Sequence, residues 1–146
     1  MRPIYETNKD LSNEGKVKKV VESKWGIKLE KLDRRQKIDF VMTRGKEIKG
    51  WVEVKCRNYD WEQIDRFGGY MVSLQKWISG RTLSSITDKP FFLVVSCKGD
   101  VRYLNCNTDN VTFEIGGRRD RNDAMDIEPV AIVPVSEFVK VENDPS

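Results

Sequence analysis

Histidine is absent from this 146-residue sequence. Its absence excludes Ser-His-Asp and Cys-His nucleophilic catalysis, HNH and HExxH metal sites, and any histidine general base. Chemistry in this chain must therefore use carboxylates, lysine, hydroxyls or thiols. Carboxylate oxygens are the ligands that hard cations such as Mg²⁺ prefer, so the composition favours an oxygen-ligated metal.

Cysteines and long apolar runs are also scarce. The three cysteines, Cys56, Cys97 and Cys106, form no CxxC pair, which argues against a disulfide framework or a zinc ribbon and favours buried free thiols. No apolar run approaches the roughly 20 residues of a membrane helix, and the first ten residues lack the apolar stretch of a signal peptide. We expect a cytoplasmic protein with no membrane partner.

Charge is unevenly distributed along the chain. Residues 1–58 hold 16 Lys and Arg against 9 Asp and Glu, a net charge of +7, whereas residues 59–146 carry a net charge of −4. A basic half is typical of a protein that binds a phosphate backbone. Solvated surface charge is the alternative interpretation.

Hydrophobic periodicity predicts an α/β order of elements. We expect two helices, at 8–25 and 70–79, and a polar connection at 57–69. Strands are predicted at 27–32, 37–43, 48–56, 91–97, 101–105, 111–115 and 130–135, with a charged loop at 116–129. The resulting α-β-β-β-α-β order, with extra C-terminal strands, predicts a mixed central β-sheet flanked by helices. We expect a single domain over 1–146, with a core at 8–98 and a strand extension at 99–141.

The second and third strands are predicted to form a β-hairpin around RGKE, residues 44–47. A turn centred near Gly45 aligns odd positions with odd positions. Because side chains alternate between faces, Asp39, Glu53 and Lys55 would then share one face. Ile38, Phe40 and Met42 would lie on the opposite, core-facing surface.

Two carboxylates and an ammonium on one sheet face favour a metal site. Like charges raise each other's pKa unless a cation lies between them, and a divalent metal can bind both groups through oxygen. The alternative is a surface salt bridge between Lys55 and either Asp39 or Glu53.

The pair ID (38–39) and EVK (53–55), separated by 13 residues, resembles the signature of the PD-(D/E)xK nuclease superfamily. That superfamily includes restriction endonucleases, Holliday-junction resolvases, RecB-type exonucleases and many phage nucleases. Its core order matches the elements predicted over residues 8–97, so the resemblance implies a restriction-endonuclease-like fold. Ile38 stands where the name-giving pattern has proline.

The resemblance also implies roles for individual residues. Asp39, Glu53 and the backbone carbonyl of Val54 would bind Mg²⁺ or Mn²⁺, and Lys55 would orient or activate the attacking water. A glutamate on the first helix of the family points at the metal, and Glu14 fits that position, in contact through a water. A boundary residue paired with Lys18 is the alternative for Glu14.

Further polar residues are candidates for nucleic-acid binding. The helix at 70–79 supplies Gln75 and Lys76, for which a solvated helix face is the alternative. Basic residues near the site could also grip phosphates: Arg34, Arg35, Lys37 and Arg44.

We expect a metal-dependent deoxyribonuclease, an endonuclease selective for DNA structure such as a junction, a flap or a single strand. Junction resolvases act as dimers, because two opposed cuts need two sites, so a homodimer is a candidate assembly. No small-molecule cofactor is expected. Two alternatives remain open: a catalytically silent nuclease fold that binds nucleic acid or a partner protein, and a sheet-based interaction protein with accidental charges.

Overall fold

The computed structural model describes residues 8–33, 37–117 and 127–142. Its helices are α1 (Asn8–Trp25), α2 (Trp61–Arg66), α3 (Leu74–Thr87) and a short 3₁₀ helix (Val135–Glu137). Its strands are β1 (Lys28–Lys31), β2 (Phe40–Arg44), β3 (Glu47–Arg57), β4 (Tyr70–Ser73), β5 (Phe91–Cys97), β6 (Asp100–Asn105), β7 (Thr112–Gly117), β8 (Ile127–Val133) and β9 (Val139–Lys140). None of these helices combines the length and apolarity needed to cross a membrane.

The strands form two sheets. The larger has the order β1-β2-β3-β5-β6-β9, in which β3 and β5 are parallel and the other pairs are antiparallel. The smaller is antiparallel, with the order β4-β8-β7. A parallel neighbour requires a crossover connection, and here α2, β4 and α3 provide it between β3 and β5. The mixed sheet flanked by helices confirms the predicted fold class.

Helix α1 has the predicted bounds and covers one face of the larger sheet. Val17, Val21 and Trp25 are buried there in one cluster with the even-numbered Val52 and Val54 of β3. The helix stops at Gly26, which has a φ of +62° and suits a left-handed C-terminal position. This packing turns the odd-numbered side chains of β3 towards the other face.

The hairpin of β2 and β3 confirms the predicted pairing near the site. Phe40 pairs with Val52, and Val41 with Trp51, so positions of equal parity are opposite each other. A bulge between Met42 and Thr43 shifts the register towards the turn.

Two details of the first hairpin strand differ from the prediction. The strand begins at Phe40, not at residue 37, because residues 37–39 form a bend. Ile38 therefore does not share a cluster with Phe40: it packs with Trp77 and Leu93 on the other side of the sheet. Side-chain alternation holds only where the backbone is extended.

The predicted helix at 70–79 is wrong in its first half. Residues Tyr70–Ser73 form β4, which pairs antiparallel with β8, and α3 follows from Leu74 to Thr87. Gly68 and Gly69 have positive φ values, which interrupt any helical backbone before β4. The Ser73 side chain accepts a hydrogen bond from the Lys76 N–H and caps α3.

The connection 57–69 is also more ordered than predicted, since it contains α2. Asp60 and Gln63 form a reciprocal capping box at the helix start. Trp61 and Ile64 are buried in the cluster formed by α2, α3, the smaller sheet and the inner face of β5.

The C-terminal strands correspond to the predicted ones but divide between the sheets. The 101–105 strand becomes β6 of the larger sheet, whereas the 111–115 and 130–135 strands become β7 and β8 of the smaller one. The central part of the predicted loop, 118–126, lies outside the described residues.

Candidate active site

Glu53 lies at the centre of the candidate site, on the face of β3 that α1 does not cover. Its carboxylate is buried, with 2% of the side chain exposed. The ammonium of Lys55 lies 3.4 Å from Oε2, and the ammonium of Lys76, on α3, lies 3.0 Å from the same oxygen. A buried carboxylate needs such partners because an unpaired buried charge is costly.

A bend at residues 37–39 holds Asp39 beside Glu53. The Asp39 N–H donates to Oε1 of Glu53 over 3.2 Å, and the Asp39 carbonyl accepts from the Leu32 N–H over 2.8 Å. The Lys76 ammonium also donates to the Lys37 carbonyl. Lys76 therefore connects the bend that carries Asp39 to the strand that carries Glu53.

The charge state of Glu53 reflects this environment. Burial raises the pKa of Glu53 above its ordinary value, and the neighbouring charge of Asp39 raises the pKa further. Lys55 and Lys76 oppose these effects and lower the pKa. The net direction of the pKa is upward, because burial outweighs the two lysines and Asp39 adds to its effect.

The donor set fits a hard divalent cation. Lys76 donates a hydrogen bond to Oε1 of Glu53 over 3.1 Å. The buried Oε2 accepts no hydrogen bond from the residues that the structure describes, although the Lys76 and Lys55 ammonium groups lie 3.0 and 3.4 Å from it. No cluster of three or more acidic, thiol or imidazole side chains occurs in the ranges that the structure describes. Mg²⁺ does not need one, because it is usually bound by one or two carboxylates together with waters and substrate phosphates.

Glu14 is not brought to this carboxylate pair by any contact in the described chain. Its Oε1 lies 3.0 Å from the ammonium of Lys31 on β1, and Lys31 in turn lies 5.7 Å from the ring centroid of Phe40. Phe40 belongs to the cluster under α1. Glu14 thus contacts the α1 side of the sheet, and its observed partner is Lys31, not Lys18.

Of the described residues predicted to bind nucleic acid, some lie at the candidate site and others do not. Lys76 lies within the site, whereas Gln75 is exposed on α3 and Lys37 contributes its backbone carbonyl. Arg44 donates to the carbonyls of Trp25 and Gly26 over 3.3 and 3.4 Å, at the C-terminal end of α1, where a cation is favourable. Arg34 and Arg35 lie outside the described residues.

Arg57 is a residue near this site that the sequence interpretation overlooked. It lies two positions after Lys55 on the same strand, and its guanidinium carbon is 5.6 Å from the ring centroid of Tyr70. The signal was present in the sequence, since the alternation that groups Glu53 with Lys55 extends directly to Arg57.

A mixed sheet flanked by helices, with Asp39, Glu53 and Lys55 brought together by one hairpin, defines the restriction-endonuclease-like class of fold. The solved structure of Hjc, a Holliday junction resolvase from the archaeal hyperthermophile Archaeoglobus fulgidus, is similar to this chain, with a TM-score of 0.56 and 10% sequence identity over 89% of this chain and 95% of that one. Residues 1–141 match the family model described as "Phage putative PDDEXK endonuclease", and the chain belongs to that family. The search of curated proteins gave no match.

Proposed function

We propose that this member of an endonuclease family is a divalent-metal-dependent deoxyribonuclease that hydrolyses phosphodiester bonds at Asp39, Glu53 and Lys55. The observation that carries the proposal is the buried Glu53 carboxylate. It is held beside Asp39 and two ammonium groups, of which Lys76 lies 3.0 Å and Lys55 3.4 Å from Oε2. Two carboxylates side by side, one of them buried, are unfavourable unless a cation binds both, which supports a metal-binding role.

In this proposal the carboxylates of Asp39 and Glu53, with the carbonyl of Val54, hold one or two Mg²⁺ or Mn²⁺ ions. Such ions would supply a nucleophile at neutral pH and stabilise charge on the phosphate. The water oxygen attacks phosphorus, the bond to the 3′ oxygen breaks, and the products carry a 5′-phosphate and a 3′-hydroxyl. Glu14 has no step in this scheme, because its observed contact is with Lys31.

Lys55 and Lys76 have different roles in this proposal. Lys55 is 41% exposed and only 3.4 Å from Glu53, so its ammonium can donate to the attacking water or to a phosphate oxygen. Lys76 is 30% exposed and also binds the Lys37 carbonyl. It orients Glu53 and the Asp39 bend, and it is a second cation near the scissile phosphate.

Selectivity for DNA structure is supported by two exposed aromatic rings beyond the end of β3. Tyr59 is 38% exposed and Phe67 is 67% exposed, and their rings are perpendicular with centroids 6.1 Å apart. Exposed aromatic rings beside basic residues are suited to stacking on unpaired bases. We propose that they favour junctions, flaps or single strands over continuous duplex.

A homodimer is also part of the proposal, since cutting two opposed strands of a junction needs two sites. Its support is a groove of about 610 Å³ between α3 and β7. The groove is lined by Leu74, Ile78, Ile86 and Phe113 among others, and Ile78, Ile86 and Phe113 are exposed. Exposed apolar surface of this kind commonly marks a protein interface.

The test uses the purified protein with labelled duplex, single-stranded, flap and four-way-junction DNA in Mg²⁺, Mn²⁺ or EDTA. Glu53→Gln and Lys55→Met are each expected to abolish cleavage, and EDTA should abolish it as well. The controls are Glu47→Gln and Lys49→Met, a pair with the same spacing on the same strand and a 3.1 Å ion pair. They should cleave like the wild type.

Three results would count against the proposal in different ways. Cleavage that persists in Glu53→Gln would refute the site assignment, and cleavage in EDTA would refute metal dependence. DNA binding without cleavage of any substrate would favour the catalytically silent alternative.

A further inference from the structure

Arg57 extends the catalytic face of β3 beyond Lys55. It is paired with Cys97 of β5 in the parallel ladder, so the strand is still regular at this point. Side chains two residues apart on one strand face are about 6.6 Å apart along the strand. Glu53, Lys55 and Arg57 therefore form a row that leads from the buried carboxylate to the C-terminal end of β3.

The guanidinium of Arg57 has no carboxylate partner in the part of the chain that the structure describes. Its one side-chain hydrogen bond is to the Cys56 carbonyl, at 3.5 Å, and it is half-buried. Asp100 and Asp60 act on Cys97 together with Arg57, but both acids have other partners. Asp100 binds Arg102 over 3.0 Å, and Asp60 caps α2. An arginine has five N–H donors in a planar fork, so most of these donors remain available to an anion.

Tyr70 gives this arginine a fixed position. Its ring lies beneath the guanidinium, a cation–π arrangement that favours a planar cation. Tyr70 is buried, and its hydroxyl has no hydrogen-bond partner in the described structure. Tyr70 pairs with Val133 of β8, so the ring under Arg57 belongs to a hydrogen-bonded strand of the smaller sheet.

We propose that Arg57 binds the phosphate next to the scissile one on the cleaved strand, and so sets the position of the strand relative to Lys55. This inference rests on the proposed nuclease function and deepens it. A guanidinium matches a phosphate bidentately, and its place one step along the row from Lys55 suits the next phosphate of a strand that runs along β3. Arg57 would thus be a substrate-positioning residue rather than part of the bond-breaking group.

The experiment pairs Arg57→Gln with DNA that carries a single uncharged methylphosphonate on either side of the scissile phosphate. In the wild type, neutralising the contacted phosphate should lower kcat/KM about 10-fold, mainly through KM. Arg57→Gln should show a similar loss on unmodified DNA, and its salt dependence of binding in EDTA should fall by about one counterion. On the modified DNA, Arg57→Gln should show no additional loss.

Two variants keep the test independent of folding. Arg57→Lys retains the charge and should recover part of the activity without the full bidentate contact. Lys49→Gln removes a charge from the far end of β3 and should respond to methylphosphonate like the wild type. If Arg57 had a purely structural role, Arg57→Gln would have a lower thermal stability, but the methylphosphonate would still lower its kcat/KM as it does in the wild type.

This inference would be overturned if methylphosphonate, on either side of the scissile phosphate, lowered kcat/KM equally in the wild type and in Arg57→Gln. Because the wild type would still cleave DNA, the proposed function would stand. Absence of cleavage by the wild type on every substrate would overturn the proposed function, and this inference would fall with it.

Discussion

At the level of single residues, the burial of Glu53 opposes stability. Its carboxylate is removed from water beside Asp39, and the two lysines compensate only in part, since the pKa remains raised. A pKa shifted by burial together with a neighbouring charge is a feature that occurs often at functional sites.

Glu53→Gln is predicted to stabilise the metal-free protein at neutral and alkaline pH. Because the pKa of Glu53 is raised on folding, the folded protein holds this proton more strongly than the unfolded chain. The stabilising contribution of this proton is fully present below the pKa of Glu53 in the unfolded chain and is lost as pH rises through the folded pKa. Urea unfolding of both proteins across pH should show the advantage of the variant shrinking as pH falls.

Two controls accompany that measurement. Lys49 lowers the pKa of the exposed Glu47, so Glu47→Gln should show the opposite pH dependence. Any difference in stability should make this variant less stable than the wild type at neutral pH, and the difference should vanish in acid. Mg²⁺ should raise the stability of the wild type but not that of Glu53→Gln, since a ligand stabilises only the form that binds it. A variant less stable than the wild type at every pH would contradict the prediction.

The exposed rings of Tyr59 and Phe67 are predicted to determine preference among DNA structures. Stacking contributes about 1–3 kcal/mol per base, so Phe67→Ala or Tyr59→Ala should weaken binding to single-stranded or flap DNA roughly 10-fold or more. Duplex binding should change little. Fluorescence anisotropy in EDTA measures both, with Ile48→Ala as a control for an exposed apolar residue at the hairpin turn. Unchanged affinity for every DNA form would argue that the rings only pack against each other.

At the level of elements, α3 positions Lys76 because the helix lies very close to β5. A Cβ placed on Gly80 would overlap the ring of Phe91, so glycine is the residue that allows this approach. The same helix carries Trp77 into the core. The distance between Lys76 and Glu53 therefore depends on packing several residues away from either side chain.

Gly80→Ala is predicted to destabilise the protein by about 1–3 kcal/mol, because the core must shift to accept the methyl group. It should also lower activity, since α3 would move Lys76 away from Glu53. Gly15→Ala on α1 is the matched control: nothing lies within 4 Å of its Cβ position, so better helix propensity should stabilise the protein by up to about 1 kcal/mol. Urea midpoints that move in the same direction for both variants would contradict this account.

The β4 strand shows why local pattern was insufficient for this element. Tyr70, Val72 and Leu74 alternate like a strand, while Met71, Leu74 and Ile78 have helical spacing, and both patterns fit a short segment. Pairing of β4 with β8, about 60 residues later in the chain, decides between them. A contact of that sequence separation leaves no signal in an eleven-residue window.

At the level of the whole molecule, the smaller sheet and α3 leave apolar side chains on the surface. Ile86 and Phe113 belong to different elements and line the same groove. No helix or strand of the described chain covers these two side chains, whereas Trp77 on the inner side of α3 is buried. A second copy of the chain is the occupant that the proposed paired cuts require.

Ile86→Glu and Phe113→Glu are predicted to convert a homodimer into monomers, because a charge in an apolar contact is costly. Light scattering after size-exclusion chromatography measures the mass, and four-way-junction DNA should then be nicked in one strand rather than cut in two. Ile48→Glu, exposed at the hairpin turn, should remain dimeric. A monomeric wild type, or variants that keep the wild-type mass, would refute this assembly.

The sequence by itself determined the hairpin that carries the candidate site. Glu53 and Lys55 could be grouped because side chains two residues apart on a strand share a face. Asp39 could be placed opposite Glu53 because a short glycine turn sets the register of a hairpin, which is also a local property. The same local rule would have added Arg57. Helix α1, the buried β5 strand and the α/β order of the elements followed from periodicity of the same kind. The restriction-endonuclease-like class of fold was implied by the family resemblance.

Tertiary structure decided the parts that depend on distant segments. Lys76 reaches Glu53 only because α3 packs on β5, and Glu14 pairs with Lys31 because α1 covers the opposite face of the sheet. Ile38 lies on the other side of the sheet from the predicted one because a bend interrupts the strand. Arg44 binds the C-terminal end of α1. These outcomes depend on which face of an element meets which neighbour, and that choice is made by burial across the whole chain rather than by any single stretch of it.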